Sequence, residues 1–528
     1  MSAVLWIPRL TGPIDLRYDA GVYYVLGTSL AEGHGYRLLN EPGAIEAIQY
    51  PPLLPMIVAA HQRMLGTSDP NVVGWALRCT YAGLFVAYGL LVYALARRWL
   101  WHGWAIVATM LVLLNLQLLW LSDALFAELP YACALVAFLL LGERDDQRGL
   151  TAGAAAAAYL LRSSGLALLV AWVVDALLQR RVLEAALRAG LAALPILVWH
   201  AYVSEVQTQP AFTAPAYEYQ RAPYQFYNVG YAANLAYVDA FAPERGIATT
   251  GDVARRFFAN AAALPEHLGE SVSVRAEGPL LPVFRLPNRE PPPAAALTVS
   301  RTGFAGIGFV AATGIVLLVL DGIHLAPLVW AGSLALAALT PFGSQFDRYL
   351  MPLAPLTAIG LVLVFANGAR VANRLLQIAI GAAVGVLIAA EVVVLGTVFT
   401  TRHEIAAPAG GVSQRLFFYR QHWQLHDDAL AWLGAHAAPD DVVATSTPHR
   451  LYLRSGLHAV FPPFEPDPAE AERLLASVPV RWVLIDDLDY LDVTRRYTEP
   501  TIRAHPERWR LAYGDPNQGS RIYRRVQP

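Results

Sequence analysis

Long apolar runs decide what this chain can become. They stand at residues 75–96, 104–121, 124–141, 150–161 with 164–178, 182–202, 303–320, 324–340, 349–366 and 375–398. About 20 apolar residues cross a bilayer as a helix, and a helix satisfies its own backbone groups in lipid. Composition agrees, because 56% of the 528 residues are hydrophobic and 15% are charged. A soluble domain carries about a quarter charged residues. The expectation is an α-helical polytopic membrane protein with about ten or more membrane helices and a small C-terminal α/β soluble domain.

Arginine sets the expected orientation, since short cytoplasmic loops collect basic residues. Arg97 and Arg98, Arg144 and Arg148, Arg180, Arg181 and Arg188, and Arg370 and Arg374 share one side if 151–178 is a hairpin turning near Arg162. The opposite, extracytoplasmic face then receives the remaining polar segments. The expected division is a first extracytoplasmic loop and juxtamembrane segment at 1–74, membrane helices at 75–202, a large extracytoplasmic loop at 203–302, membrane helices at 303–400 and an extracytoplasmic α/β domain at 401–528. The start "MSAVLWIP" is too short to span, so the expectation is that a first helix precedes it or, as the alternative, that the N-terminus lies on the far side. The run 51–65, "PPLLPMIVAAHQRML", reads as juxtamembrane or re-entrant.

The net charge of −2 supplies no argument for nucleic acid. Every basic residue is Arg, which removes lysine-based covalent chemistry. Cys79 and Cys133 lie in apolar runs and read as small core residues.

Within 203–302, "YEYQRAPYQFYNVGYAANLAY" is dense in tyrosine and the end "LPNREPPPAAA" in proline. The tyrosines are either stacking groups for a sugar or lipid headgroup, or interfacial anchors of a folded loop. After about residue 403 the pattern becomes soluble: a helix at "HDDALAWLGAHAAPD", a strand at "DVVATS", a short helix at "HRLYLRSG", a buried strand at "VRWVLIDD" and a hairpin of "WRLAYGD" and "RIYRRV".

Candidate chemistry concentrates in few residues. Asp19, in a Tyr-rich segment, suits a general base, or it is a solvated loop acid. Asp123 and Glu128 open a membrane segment, as neighbours on a helix or as a helix cap. Arg162 is the one charge between Thr151 and Val174, and an isolated intramembrane arginine needs a carboxylate or a phosphate. Arg348 is expected to clamp a phosphate, pair with Asp347, or snorkel. Asp486, Asp487 and Asp489 read as a solvated strand end. No metal ligands are assigned, although a divalent metal is compatible with the acids. Carboxylates and two arginines on one membrane face suit group transfer from a membrane-embedded phosphate donor.

Taken in order, "YDAGVYYVLGTSLAEGHGYR", "QYPPLLPMI", "LSDALFAELPY", "YLLRSSGLALL" and "FDRYLMPLAPL" resemble the GT-C superfamily of membrane glycosyltransferases. The likeness is to its protein O-mannosyltransferase and aminoarabinose transferase group (glycosyltransferase family 39-like), over about residues 15–400. The resemblance implies an inverting transfer from a polyprenyl-phosphate-linked sugar to a protein, lipid or glycan acceptor. It implies Asp19 as the base and Arg162 as a donor-phosphate ligand. Arg348 joins Arg162 as a candidate phosphate ligand, and Tyr18, Tyr23, Tyr50, Asp123 and Glu128 are candidate substrate-site residues. The chain departs from the pattern at Ala20, where many relatives have a second acid, and at Tyr50, where aminoarabinose transferases have Lys. Other classes are a transporter or flippase of lipid-linked sugars, which would want internal repeats, and a non-catalytic membrane scaffold.

Overall fold

Helices form where the apolar runs stand. The computed structural model describes residues 2–142, 144–274, 294–371, 373–404, 419, 421–488 and 491–526. Most of the proline-rich end of the large loop, and Asp489, lie outside the described residues. Among those described, five helical spans are long and apolar enough to cross a membrane: Pro70–Ala96, Val182–Thr208, Ser300–Leu320, Gly343–Arg370 and Arg374–Phe399. A sixth consists of His102–Leu113 and Leu116–Asp123, bent by 57°. The chain is an integral membrane protein.

The bend has a local cause. Asn115 breaks the run expected at 104–121, because its side-chain oxygen accepts from the backbone N–H of Gln117 at 2.9 Å and caps a new helix there. The run expected at 124–141 begins as a helix only at Glu128. Asp123 ends one helix and Glu128 starts the next, so the two are not neighbours on one helix, and neither Ser122 nor Asp123 is an N-cap.

The chain divides into two compact units. The first comprises Met1–Gly12, Arg78–Leu197 and Val253–Phe417; the second comprises Pro13–Leu77, Val198–Asp252 and Phe418–Pro528.

In the first unit, the expected hairpin is present as helices Arg148–Leu161 and Leu166–Leu178, joined by a 3-10 turn over Ser163–Gly165. A side chain at Gly165 would stand 2.5 Å from the Tyr159 nitrogen, so only glycine lets the turn fold back. Helices Ala294–Leu320 and Ala354–Val371 cross where Gly314 and Gly360 meet; a Cβ on Gly314 would lie 1.8 Å from the Gly360 oxygen. Small residues at a crossing are how membrane helices pack closely without a hydrophobic driving force.

In the second unit, the segment around Asp19 is a helix, Asp19–Ala31, with Ala20 through Ser29 buried. The juxtamembrane run is a separate 13-residue helix, Leu53–Leu65. The C-terminal sheet has strands β1 (Val442–Ala444), β2 (His458–Val460), β3 (Val480–Ile485), β4 (Trp509–Asp515) and β5 (Gln518–Arg525), in the order β2-β1-β3-β5-β4. β1 pairs in parallel with β2 and β3, while β5 is antiparallel to β3 and β4. Alternation divides its two faces. Val443, Trp482 and Leu484 pack with Leu430 and Leu433 of helix Gln421–His436. Val442, Ala444, Val483 and Ile485 pack with Leu474 and Leu475 of helix Pro468–Ser477 and with Tyr217 and Tyr219. Those two tyrosines of the large loop are thus core residues, not interfacial anchors. Asp486 is buried as well, accepting from Ser446 at 2.6 Å and Thr494 at 3.1 Å, because β3 ends inside the domain rather than in solvent.

Candidate functional site

Glu128 organises the charged centre of the first unit. It lies in the first turn of its helix, where the dipole favours a carboxylate. Its Oε1 accepts from both the Arg162 guanidinium and the Arg348 Nε–H. Arg162 reaches it because the residue has left the helix for an extended conformation (φ −149°, ψ 133°) at the hairpin turn. The Arg348 guanidinium stands 4.3 Å from the Phe126 ring centre, and that of Arg162 stands 5.5 Å from the Tyr349 ring. Of the three, Glu128 is sealed at 1% side-chain exposure, while Arg162 and Arg348 keep 16% and 13%. The partner of Arg348 is therefore Glu128, and Asp347 turns elsewhere.

Asp123 has a second pair of arginines. It accepts from Arg9 at 3.1 Å and lies 3.3 Å from Arg78, both arginines being fully buried. Arg9 also donates to Ser122 Oγ and the Leu119 carbonyl, and Arg78 donates to the Arg9 carbonyl at 2.6 Å. A carboxylate at a helix C-terminus is disfavoured by the dipole, and the two guanidiniums offset that repulsion. Arg9 and Arg78 were not legible as partners: one sits in the short N-terminal piece and the other inside a long helix.

Asp347 accepts from His267 Nδ1 at 2.9 Å, and Glu270 Oε2 lies 3.2 Å from the same nitrogen. Burial opposes a charge on His267, yet its hydrogen bonds to Asp347 and Glu270 raise its pKa to about 9. The three form a group of ligand atoms within 4.8 Å of one another, which the sequence alone did not assign.

In the second unit, Asp19 opens its helix after Tyr18, which takes a positive φ of 56°. That conformation is rare for a bulky residue and marks local strain. The Tyr227 hydroxyl donates to Asp19 Oδ1 at 2.9 Å. Tyr227 belongs to an aromatic series in which Tyr23 and Tyr50 ring centres lie 4.9 Å apart and Tyr50 and Tyr227 6.2 Å apart. Its ring also meets the His449 imidazole edge-on at 4.7 Å. Burial drives the His449 pKa down to about 3 against the pull of the Asp19 charge, so the imidazole beside Asp19 is neutral. Tyr18 is not part of this series; its ring packs on Trp423 at 5.4 Å. Nearby, Arg17 is bound to Asp15 at 2.6 Å. Burial would raise the Asp427 pKa, but Arg450, with Arg454 and the Tyr419 hydroxyl, holds it well below the usual carboxylate range.

No protein-family model matches the sequence, and no curated protein matches it. Solved structures do. An oligosaccharyltransferase of Archaeoglobus fulgidus, crystallised with zinc and sulfate, matches at a TM-score of 0.50 and 15% identity, over 98% of this chain and 69% of that one. ArnT of Cupriavidus metallidurans, crystallised with undecaprenyl phosphate, matches at a TM-score of 0.43 and 13% identity, over 99% of this chain and 96% of that one. The likeness is one of fold: the chain shares the helical architecture of the oligosaccharyltransferase.

Proposed function

We propose that the chain is a membrane glycosyltransferase that moves a sugar from a polyprenyl-phosphate donor to a protein, lipid or glycan acceptor, with inversion. The observation that carries this reading is the arginine pair on Glu128. Two guanidiniums converge on one carboxylate oxygen, and both keep some exposure. A phosphate oxyanion is the ligand such a pair suits, because charge-assisted hydrogen bonds to a planar fork are strong and directional.

Asp19 is the candidate base. The Tyr227 hydroxyl donates to its Oδ1 and so fixes the orientation of the carboxylate. In the step proposed, the acceptor O–H or N–H gives its proton to the Asp19 carboxylate. The acceptor lone pair forms the new bond to the anomeric carbon as the carbon–oxygen bond to phosphate breaks. The electron pair leaves on the phosphate oxygen, where Arg162 and Arg348 stabilise the charge. The products are the glycosylated acceptor and a polyprenyl phosphate. The arginine distribution supports a cytoplasmic (inner) membrane location, with the active face and the C-terminal sheet extracytoplasmic.

The test is to delete the protein from its cells and profile their polyprenyl-phosphate sugars. One such sugar is expected to accumulate and to be used up when purified chain is added back. Unchanged pools, with no binding of polyprenyl monophosphate to the purified chain, would overturn the reading.

A further inference from the structure

A buried acid in the first unit has no role in the reaction just described. Glu391 stands in the middle of the apolar helix Arg374–Glu404, 2% exposed, and among the described residues neither of its carboxyl oxygens has a partner at full hydrogen-bond geometry. A lone carboxylate in that setting is costly and calls for a cation or a proton. The Asn115 amide lies beside it, but donates to the carbonyls of Glu270 and Ser273 at 2.9 and 2.8 Å.

Glu391 lines a cavity of about 20 Å³, and His267, Glu270 and Asp347 line the same cavity. By this measure the space holds a single water or an ion of about that size. The donor spacing fits an ion. Two ligands at the usual zinc distances lie about 3.0–3.4 Å apart around one metal, depending on its geometry. His267 Nδ1 lies 2.9 Å from Asp347 and 3.2 Å from Glu270.

We infer that His267, Glu270 and Asp347 form a binding site for one divalent first-row cation of the zinc or manganese class, with Glu391 adding a carboxylate on the wall of the same cavity, outside the three ligand atoms. One imidazole nitrogen with several carboxylate oxygens suits these ions, whereas calcium and magnesium prefer oxygen alone. The ion ties two helices of the unit, Thr250–Glu270 and Phe346–Leu350, into one arrangement. Asp347 directly precedes Arg348 in the chain, so the ion also fixes the short helix that carries one of the two proposed phosphate ligands. The site itself does not rest on the glycosyltransferase reading, and its test reads metal, not transfer.

The purified full chain, free of any histidine tag, is stripped with chelator and dialysed against zinc alone or manganese alone. Wild-type protein is expected to retain one equivalent and to melt at a higher temperature with metal than without. Glu391→Gln preserves shape and removes the charge, and is expected to weaken binding about tenfold or more. Without metal, the same variant should melt no lower than wild type, because a buried acid has been neutralised. His267→Ala should abolish retention. Two results overturn the inference: stripped wild-type protein that takes up neither ion, or a Glu391→Gln variant that binds as tightly as wild type.

Discussion

Asp123 and Glu128 stand five residues apart, and each holds two arginines. The two triads differ in access. Around Asp123 every member is sealed, with Arg9 and Arg78 at 0% side-chain exposure and Asp123 at 2%. Around Glu128 only the carboxylate is sealed, and the arginines face outward by 16% and 13%. The same three charges therefore do different work. A sealed triad pairs internally and fixes the chain; an open one offers cationic surface to a ligand. The structural reason is the break after Asp123, which leaves one acid at a helix C-terminus and the other at the next N-terminus.

The largest expected effect is on the sealed side. Asp123→Asn leaves two buried guanidiniums without their carboxylate and should cost about 3–5 kcal/mol of stability, as for other broken buried pairs. Melting in detergent or resistance to proteolysis measures it. Arg9→Lys should cost less, about 1–3 kcal/mol, because an ammonium cannot serve Asp123, Ser122 and the Leu119 carbonyl in the same geometry. Glu128→Gln should destabilise less than Asp123→Asn, since its arginines reach solvent. Equal losses for Asp123→Asn and Glu128→Gln would break the contrast.

The second unit supplies another carboxylate, Asp19, partly buried and accepting from a phenol. Asp19→Asn should leave melting unchanged and lower transfer from a polyprenyl-phosphate sugar by about 10²–10⁴-fold, the usual worth of a positioned general base. A variant with full transfer would remove Asp19 from the mechanism. A variant that merely unfolds would place it with Asp123.

How much of this was legible follows from the range of each interaction. Apolar runs report burial locally, so most helices fell where the pattern put them. The break at Asn115 did not, because one capping side chain overrides an uninterrupted apolar run. Arg162 announced itself as a lone charge in an apolar stretch, and its need for an anion was readable; that the anion is Glu128, 34 residues earlier, was not. Tyr227 and His449 lie more than 200 residues from Asp19, in segments whose aromatic and helical patterns say nothing about a shared pocket. Glu391 did carry a signal, a single acid inside a long apolar run, of the same kind that singled out Arg162. The strand end at Asp486 misled because a short acidic run reads as solvated, and only the sheet topology places its first member in the core.

The open triad invites a finer cut. Arg162→Ala and Arg348→Ala should each weaken binding of polyprenyl monophosphate about 10- to 100-fold, a loss of about 1.5–3 kcal/mol for one charge-assisted contact. Melting should change less than for Asp123→Asn, and equilibrium binding in detergent separates the two effects. If either variant bound the lipid normally, that arginine would join Arg9 and Arg78 as packing.

The smallest effect is the most specific. Arg348→Lys keeps the positive charge but loses the planar fork that now donates to Glu128 and stacks on Phe126. Affinity for polyprenyl monophosphate should fall by less than about tenfold, because the Coulomb attraction survives while the directional hydrogen bonding does not. Raising salt should then erode the variant's binding more steeply than the wild type's, since an ammonium acts as a screened point charge. Titrating the lipid phosphate at two ionic strengths measures both quantities. A lysine variant as weak as Arg348→Ala would mean that the fork, and not the charge alone, makes the Glu128 triad a binding surface.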